Sequence, residues 1–362
     1  MAPFRILVIY DGKPGHLSQP LGLAQLVKNQ CHGEFIIETW AAKPKWKILN
    51  RPMRILSQYV SRAGAKMMLL AYQHKGLPQK PDLIISFGGN VVALNVVLSR
   101  YWQVKNIAIG KCYHIPEKHF ALNLTAFGRP DRQNSVASKV VLCKTDREQC
   151  YRAGRPLRNE FPAVPLWGLF IGGEGSGYHY TNSDWHQLGQ GLRQLASARN
   201  IRWLVSTSRR TSAEGVNILK QYIDDTNCQS VIWYGQQNQQ SLSAFLGAAD
   251  RVFCTEDSTS MLSEAVAMDK PVVGLRPATV IYKKVHSTYM NYLESKRLIE
   301  RLPIAEMVQY QIKPWSPVKS YDGHLRDIFL DIIKVGNLSS IADLDKSVDS
   351  LLPIGVQEQE VA

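Results

Sequence analysis

What most limits the folds open to this 362-residue chain is a repeated local pattern. Short apolar runs rich in β-branched residues each end in a glycine or hydroxyl turn, and a stretch of helical period follows. Arg5-Ile-Leu-Val-Ile-Tyr10 closes at Asp11-Gly12-Lys13-Pro14-Gly15, after which Leu17 to Asn29 keeps Leu21, Leu23, Ala24, Leu26 and Val27 on one side. Glu34–Thr39, Asp82–Ser86, Asn106–Ile109 and Val140–Cys143 continue the series as strands. Phe87-Gly88-Gly89-Asn90 leads into a helix at about 91–100. A second series follows a proline-bearing stretch at 155–165. Its strands are Leu166–Ile171, Arg202–Ser206, Ser230–Tyr234, Arg251–Thr255 and Pro271–Leu275, with helices expected at 185–199, 213–225, 242–249 and 258–268. Strands alternating with helices predict parallel sheets covered on both faces. The expected fold is therefore α/β, with two doubly wound Rossmann-like domains facing across a cleft and ligands outside the carboxyl ends of the strands. The expected limits are 1–158 and 159–310, then a helical segment at 311–335 that crosses back, and a loosely held tail at 336–362.

Composition narrows the class. With 45% hydrophobic and 20% charged residues, disordered and fibrous proteins are excluded. No apolar run nears the roughly 20 residues that span a bilayer. Arg5–Tyr10 is too short for a signal-peptide core, so a cytoplasmic chain is expected. The six cysteines contain no C-x-x-C pair and no histidine partners at metal-ligand spacing, which predicts reduced thiols and no structural zinc.

The net charge of +13 is unevenly spread. Between Glu38 and Asp82 there is no acidic residue, while Lys43, Lys45, Lys47, Arg51, Arg54, Arg62, Lys66, Lys75 and Lys80 are interleaved with Trp46, Ile48, Met53, Leu56, Tyr59 and Met67. A basic, aromatic-bearing segment of helical spacing suits an anionic membrane surface, each cation contributing about 1 kcal/mol there. Lys43, Lys45, Trp46, Lys47, Arg51 and Arg54 are the docking candidates. A pair of core-packed helices with a solvated basic face fits the same pattern. Nucleic acid is not expected, for no recognised binding signature accompanies the charge.

Four motifs can carry chemistry. In Asp11-Gly12-Lys13-Pro14-Gly15-His16-x-x-Gln19, a glycine turn brings an imidazole to the end of a strand, where it can accept a proton. His16 and Asp11 are the catalytic candidates; Gly12, Lys13, Gly15, Gln19, Gly88, Gly89 and Asn90 are expected on the acceptor side. Gly172-Gly173-Glu-Gly-Ser-Gly177 lacks the Lys-Ser/Thr of a Walker loop, so it reads either as a phosphate cradle or as a flexible connection. Ser208-Arg209-Arg210-Thr211 puts two guanidiniums beside hydroxyls, which suits a diphosphate. Thr255-Glu256-Asp257-Ser258-Thr259-Ser260 runs from strand through a hydroxyl-rich turn into a helix whose free amides favour phosphate. Glu264 follows about one turn on, where a carboxylate can accept ribose hydroxyls; a capping box is the alternative use of the same residues.

The segment Ser263-Glu264-Ala-Val-Ala-Met-Asp-Lys-Pro271 resembles the nucleotide-sugar-binding helix of GT-B glycosyltransferases. Asp11–His16 is similar to their N-terminal glycine–histidine loop, as in the enzyme that adds N-acetylglucosamine to the peptidoglycan lipid intermediate. Together with Ile171-Gly-Gly173, Ser208–Thr211 and Thr255–Met261, these motifs resemble the elongated-mitochondria (mitochondrial fission, Elm-type) family over roughly 6–298. The sequence departs from that pattern at Gln237-Asn238-Gln239, where the family carries an Asn-Pro-Tyr-like segment. It departs again at Asp269, where many GT-B proteins carry glycine. The resemblance implies a base at His16, diphosphate contacts from Ser208, Arg209 and Arg210, phosphate contacts from Ser258 to Ser260, and ribose at Glu264.

The expectation is a metal-independent sugar transferase with a nucleotide-sugar donor and a lipid-linked or cell-envelope acceptor, peripheral to the inner membrane face. No cofactor is expected. Asp-x-Asp occurs only at Asp343-Leu-Asp345, outside the predicted cores. A nucleotide-sugar epimerase and a non-catalytic membrane adaptor are the rival readings.

Overall fold

The computed structural model describes residues 2–126, 133–237, 240–281, 283–336, 338 and 341. The chain divides into two units. Unit 1 comprises 1–138 and 325–362, and unit 2 comprises 139–324.

Unit 1 is built on β1 (Phe4–Tyr10), β2 (Phe35–Pro44), β3 (Tyr72–His74), β4 (Leu83–Phe87), β5 (Lys105–Ile109), β6 (Leu122–Thr125) and β7 (Ser135–Ala137). The sheet order is β3-β2-β1-β4-β5-β6-β7, parallel except for the β2–β3 pair. Ile6 to Ile9 are fully enclosed, as expected of a strand buried on both faces. The helices are α1 (Pro14–Gln30), α2 (Asn50–Leu56), α3 (Arg62–Leu69) and α4 (Val92–Trp102). Proline at the first position suits the start of α1, because a missing N–H costs nothing there. His16 consequently lies in the first helical turn.

Unit 2 carries β8 (Leu166–Ile171), β9 (Tyr178–His179), β10 (Arg202–Thr207), β11 (Cys228–Ile232), β12 (Arg251–Thr255), β13 (Val272–Arg276), β14 (Thr279–Val280) and β15 (Glu300–Pro303). Six of them form a parallel sheet ordered β11-β10-β8-β12-β13-β15, while β9 and β14 pair as a small antiparallel ribbon. Its helices are α5 (Arg147–Glu160), α6 (Asn182–Arg199), α7 (Ala213–Lys220), α8 (Leu242–Ala248), α9 (Thr259–Ala267) and α10 (Lys284–Ser295). A final helix, α11 (Tyr321–Gly336), starts in unit 2 and from Leu325 onward belongs to unit 1.

Several expectations need correction. Val140–Cys143 forms no strand; Val140 and Leu142 are buried, but the chain there is passing from one unit to the other. The proline-bearing stretch that precedes the second series begins inside α5, which packs on α8 in unit 2, and the boundary between the units falls at Ser138 rather than at 158. Two glycines make that packing possible: a Cβ on Gly247 would come within 1.8 Å of the Cys150 carbonyl oxygen, and one on Gly154 within 2.4 Å of the Ala248 nitrogen. The basic segment is not a helical pair throughout. Lys43 lies on β2 opposite Gln73, and the helical parts are α2, α3 and a single 3₁₀ turn at Lys47–Leu49. The expected tail, Asp343 to Asp345 within it, and Asn238 and Gln239 lie outside the described residues apart from Gly336, Leu338 and Ile341.

Candidate functional site

Strand order reverses between β1 and β4 in one sheet and between β8 and β12 in the other, so each sheet has a switch point where loops part and leave a crevice. The loops that leave these four strands carry the motifs, except Ser208–Thr211, which follows the neighbouring β10.

In unit 1, Asp11 follows β1 with its side chain only 1% exposed. Its Oδ1 meets His16 Nδ1 at 2.8 Å, and Asn90, from the loop after β4, donates from Nδ2 to Oδ2 at 2.9 Å. Lys13 Nζ stands 3.9 Å from the same oxygen. Because Nδ1 faces a carboxylate, it carries the proton, and Nε2 keeps its lone pair. The ring packs edge-on against Phe87 at 5.2 Å. Gly88 has φ +101°, and a Cβ there would sit 3.2 Å from His16 Nδ1, so glycine lets the loop pass close to the imidazole. A cavity of ≈ 350 Å³ lies at the carboxyl ends of β5 and β6, lined by Gly110, Tyr113, Asn123 and Thr125 among others. Gly12, Lys13 and Gly15 are exposed, while Gln19 is half-buried within α1.

In unit 2, a second cavity of ≈ 350 Å³ is lined by Ser176, Ser208, Arg209, Arg210, Asp257, Ser258, Thr259, Ser260 and Met261. Arg210 reaches Asp257 at 2.8 Å, and Tyr180 donates to the other carboxylate oxygen at 2.8 Å. Burial pushes the Asp257 carboxyl up, with Arg210 opposing. Arg209 is exposed and makes no hydrogen bond or ion pair with any described residue. Ser258 precedes α9 without capping it, and no acidic residue occupies the first turn. The helices α5, α6, α7 and α8 all have side-chain caps. The capping box, the alternative use of these residues, does not form, since Ser263 bonds instead to the Thr259 carbonyl and approaches Tyr289. An uncapped helix start, three hydroxyl residues and a guanidinium with no partner among the described residues thus line one cavity, groups whose physics favours an anion.

Not every expected donor residue lines this cavity. Glu256 is wholly buried and held bidentately by Arg301 at 2.8 Å, with Tyr178 donating to it; its place is in the framework. The Gly172 and Gly173 amides, expected to cradle phosphate, are used by Thr255 Oγ1 and the Asp257 carboxylate. A Cβ at Gly173 would meet the Arg210 carbonyl oxygen at 2.0 Å, so these glycines serve close backbone approach. Thr211 donates to the Gly172 carbonyl and accepts from Ser208 N, outside the lining. Glu264 stands further along α9, half-buried; burial raises its carboxyl, with Lys144 opposing. Ser176, Met261 and Tyr180 were not anticipated. Ser176 was hidden inside a glycine run, and Tyr180 carried no motif at all.

Among the docking candidates, Lys43, Lys45, Trp46, Lys47 and Arg51 are exposed. Arg54 is not free for that role. It donates twice to the Gly89 carbonyl, at 2.8 and 3.3 Å, and lies over the Tyr113 ring at 4.4 Å. Among the described residues no helix is long and apolar enough to cross a membrane, and no group of His, Cys, Asp or Glu is gathered that could hold a metal ion.

The family model described as mitochondrial fission ELM1 matches residues 14–322. The chain belongs to that family. No curated protein matches the sequence. Among solved structures, the putative UDP-N-acetylglucosamine 2-epimerase of Listeria monocytogenes is similar at a TM-score of 0.51 and 12% identity, over 95% of this chain and 98% of that one. The UDP-GlcNAc 2-epimerase of Methanocaldococcus jannaschii gives 0.51 and 9%, over 90% and 99%. E. coli ADP-heptose lipopolysaccharide heptosyltransferase II gives 0.48 and 11%, over 93% and 100%. At such identities the epimerase likenesses speak to fold alone. The fold is of the GT-B type, with two doubly wound Rossmann-like units.

Proposed function

We propose that this protein is a glycosyltransferase that moves a sugar from a nucleotide-sugar donor to an acceptor hydroxyl without a metal ion. The observation that carries the reading is the uncapped start of α9, which opens into a cavity beside the guanidinium of Arg209, unpartnered among the described residues. As the glycosidic bond breaks, negative charge grows on the departing nucleoside diphosphate. Arg209, Arg210, Ser208 and the amides of Thr259 and Ser260 would stabilise that charge, as a metal does elsewhere. Glu264 is the candidate for the ribose hydroxyls. In unit 1, His16 would take the acceptor proton on Nε2 while Asp11 holds Nδ1 and offsets the imidazolium charge. Gly12, Lys13, Gly15, Gln19 and the loop from Gly88 to Asn90 would frame the acceptor.

We place the reaction at the cytoplasmic face of an anionic membrane, with a lipid-linked or cell-envelope acceptor. In support, Trp46 is 63% and Ile48 and Tyr59 are each 82% exposed, an unusual cost for large apolar groups, and Lys45, Lys47, Arg51 and Lys66 lie among them in sequence.

The test begins with UDP-N-acetylglucosamine, the compound named for the two epimerases, and extends to GDP-, CMP- and ADP-sugars. Thermal shift and product analysis are read for the wild type, His16→Ala and Arg209→Ala. The expected result is stabilisation by one donor class, diminished in Arg209→Ala, and turnover lost in His16→Ala. Conversion of donor alone to an epimer would replace transfer by epimerisation. Binding to anionic vesicles with no nucleotide-sugar affinity would leave a non-catalytic adaptor.

A further inference from the structure

Helix α2 is amphipathic in an unusual sense, because both of its sides are engaged with something other than the core. Met53 alone is buried. Arg51, Ile55 and Leu56 are exposed beside Trp46 and Ile48, on the surface assigned above to the membrane. Asn50 and Arg54, one turn apart and so neighbours on the helix surface, reach the loop after β4. Asn50 donates from Nδ2 to Asn90 Oδ1 at 3.0 Å, and Asn90 donates from its own Nδ2 to Asp11 Oδ2 at 2.9 Å. Asp11 Oδ1 then meets His16 Nδ1 at 2.8 Å. Arg54 pins the carbonyl of Gly89, the residue beside Asn90. The approach is tight there, for a Cβ on Gly89 would fall 2.6 Å from the Tyr113 ring and 2.9 Å from an Arg54 nitrogen.

We propose that Asn50 is a positioning residue for His16, acting through Asn90 and Asp11. The inference rests on the reading of His16 as the base. Its chemistry is one of hydrogen-bond polarity. An amide can present either its oxygen or its NH2, and the two ends are nearly equal in size. Asn90 must present NH2 to Asp11, because an amide oxygen facing a carboxylate is repelled. Asn50 enforces that choice by donating to the Asn90 oxygen. With Asn90 so fixed, Asp11 keeps one oxygen aligned on Nδ1, which holds the ring proton there and leaves Nε2 as the acceptor. The donors therefore converge on Asp11, from Asn50 through Asn90 on one side and from the imidazole on the other, and Asn50 lies 34 positions away in sequence from His16. Asn50 touches no reacting atom.

The experiment compares the wild type with Asn50→Asp and Asn50→Ala. Asn50→Asp keeps the shape but replaces the donor with an acceptor, so position 50 then competes with Asp11 for the Asn90 NH2 and loosens its hold on Asp11. The first readout is the His16 tautomer, by 15N NMR of histidine-labelled protein at about pH 8, above the ordinary imidazole range. The His16 signals are identified by their loss in His16→Gln. The expected wild-type result is a proton on Nδ1; Asn50→Asp should show a mixture of tautomers, and Asn50→Ala, where the Asp11 carboxylate alone still draws the Asn90 NH2, a smaller shift, both with thermal midpoints close to wild type. The second readout is turnover of the nucleotide sugar found active, with kcat falling roughly ten- to hundredfold and donor KM unchanged. An unchanged tautomer in both variants, or a wild-type ring that is already a mixture, would overturn the assignment. If the wild type turns over no nucleotide sugar, the transferase reading fails, while the tautomer still decides the role of Asn50.

Discussion

The two switch points use the same backbone plan with opposite electrostatics. Each places a carboxylate at the exit of a central strand, Asp11 after β1 and Asp257 after β12. Asp11 faces an imidazole and an amide, groups able to exchange or orient a proton. Asp257 is enclosed, paired with Arg210, and further held by Tyr180 and the Gly173 amide. On the proposed reading, one crevice serves proton transfer and the other keeps a fixed positive edge. In the second, Asp257 pairs with the inner arginine, and Arg209 has no ion pair among the described residues. The difference lies in what each carboxylate meets, since the strand order and the loop positions are shared.

Four substitutions test this contrast, from the largest expected effect to the smallest. His16→Gln should lower turnover by about 10²- to 10⁴-fold, the range typical of general-base loss, with nucleotide affinity measured by calorimetry left intact. A matching loss of affinity would show the two crevices to be one functional element. Arg210→Ala should destabilise the folded state by about 3–5 kcal/mol near neutral pH, because it strands the Asp257 charge. That loss should shrink as the pH falls, since burial already pushes the Asp257 carboxyl up and a proton removes the stranded charge. Denaturant melts at several pH values check both the size and the sign. Arg209→Ala should leave stability within about 0.5 kcal/mol of wild type. It should nonetheless weaken UDP binding about tenfold, equivalent to about 1.4 kcal/mol. Equal effects from the two arginines would erase the distinction between a framework cation and a ligand-facing one.

The smallest effect concerns Asp269, where the sequence departs from the glycine of many GT-B proteins. Its φ of +56° explains glycine elsewhere, and Asp tolerates this region better than most side chains. Its carboxylate also accepts from Tyr321 N at 3.3 Å and stands 3.7 Å from Arg147. Asp269→Gly should relieve strain and lose these contacts together, for a net change within about 1 kcal/mol in a melting experiment.

Legibility in the sequence followed burial. β12 was readable to the residue because a strand enclosed on both faces must be an unbroken apolar run. α5 was hidden because its contact with α8 is glycine against backbone, leaving few apolar residues to mark a period. Val140–Cys143 misled for the converse reason: an apolar run can be buried without joining a ladder. At the sites, charged and glycine motifs advertised His16, Arg209 and the α9 start. Asn50 was silent, since a neutral amide far along the chain has no pattern until folding brings it to Asn90. Glu256 misled because an acidic residue within a motif looks the same in sequence whether it faces a ligand or an internal arginine.

Helix α11 has a consequence for how the molecule is made. Its start belongs to unit 2, yet Ile328, Phe329 and Ile332 are buried and Arg326 bonds Gln30 at the end of α1. Unit 1 is thus discontinuous, with the whole of unit 2 inserted between its parts. On the ribosome, its first 138 residues emerge long before the helix that completes them. At about 5–20 residues per second, that nascent half waits on the order of ten to forty seconds for its closing segment. A truncation at residue 310 should therefore harm the half of the protein farthest from the cut in sequence, and a chaperone bound during synthesis should be found on unit 1.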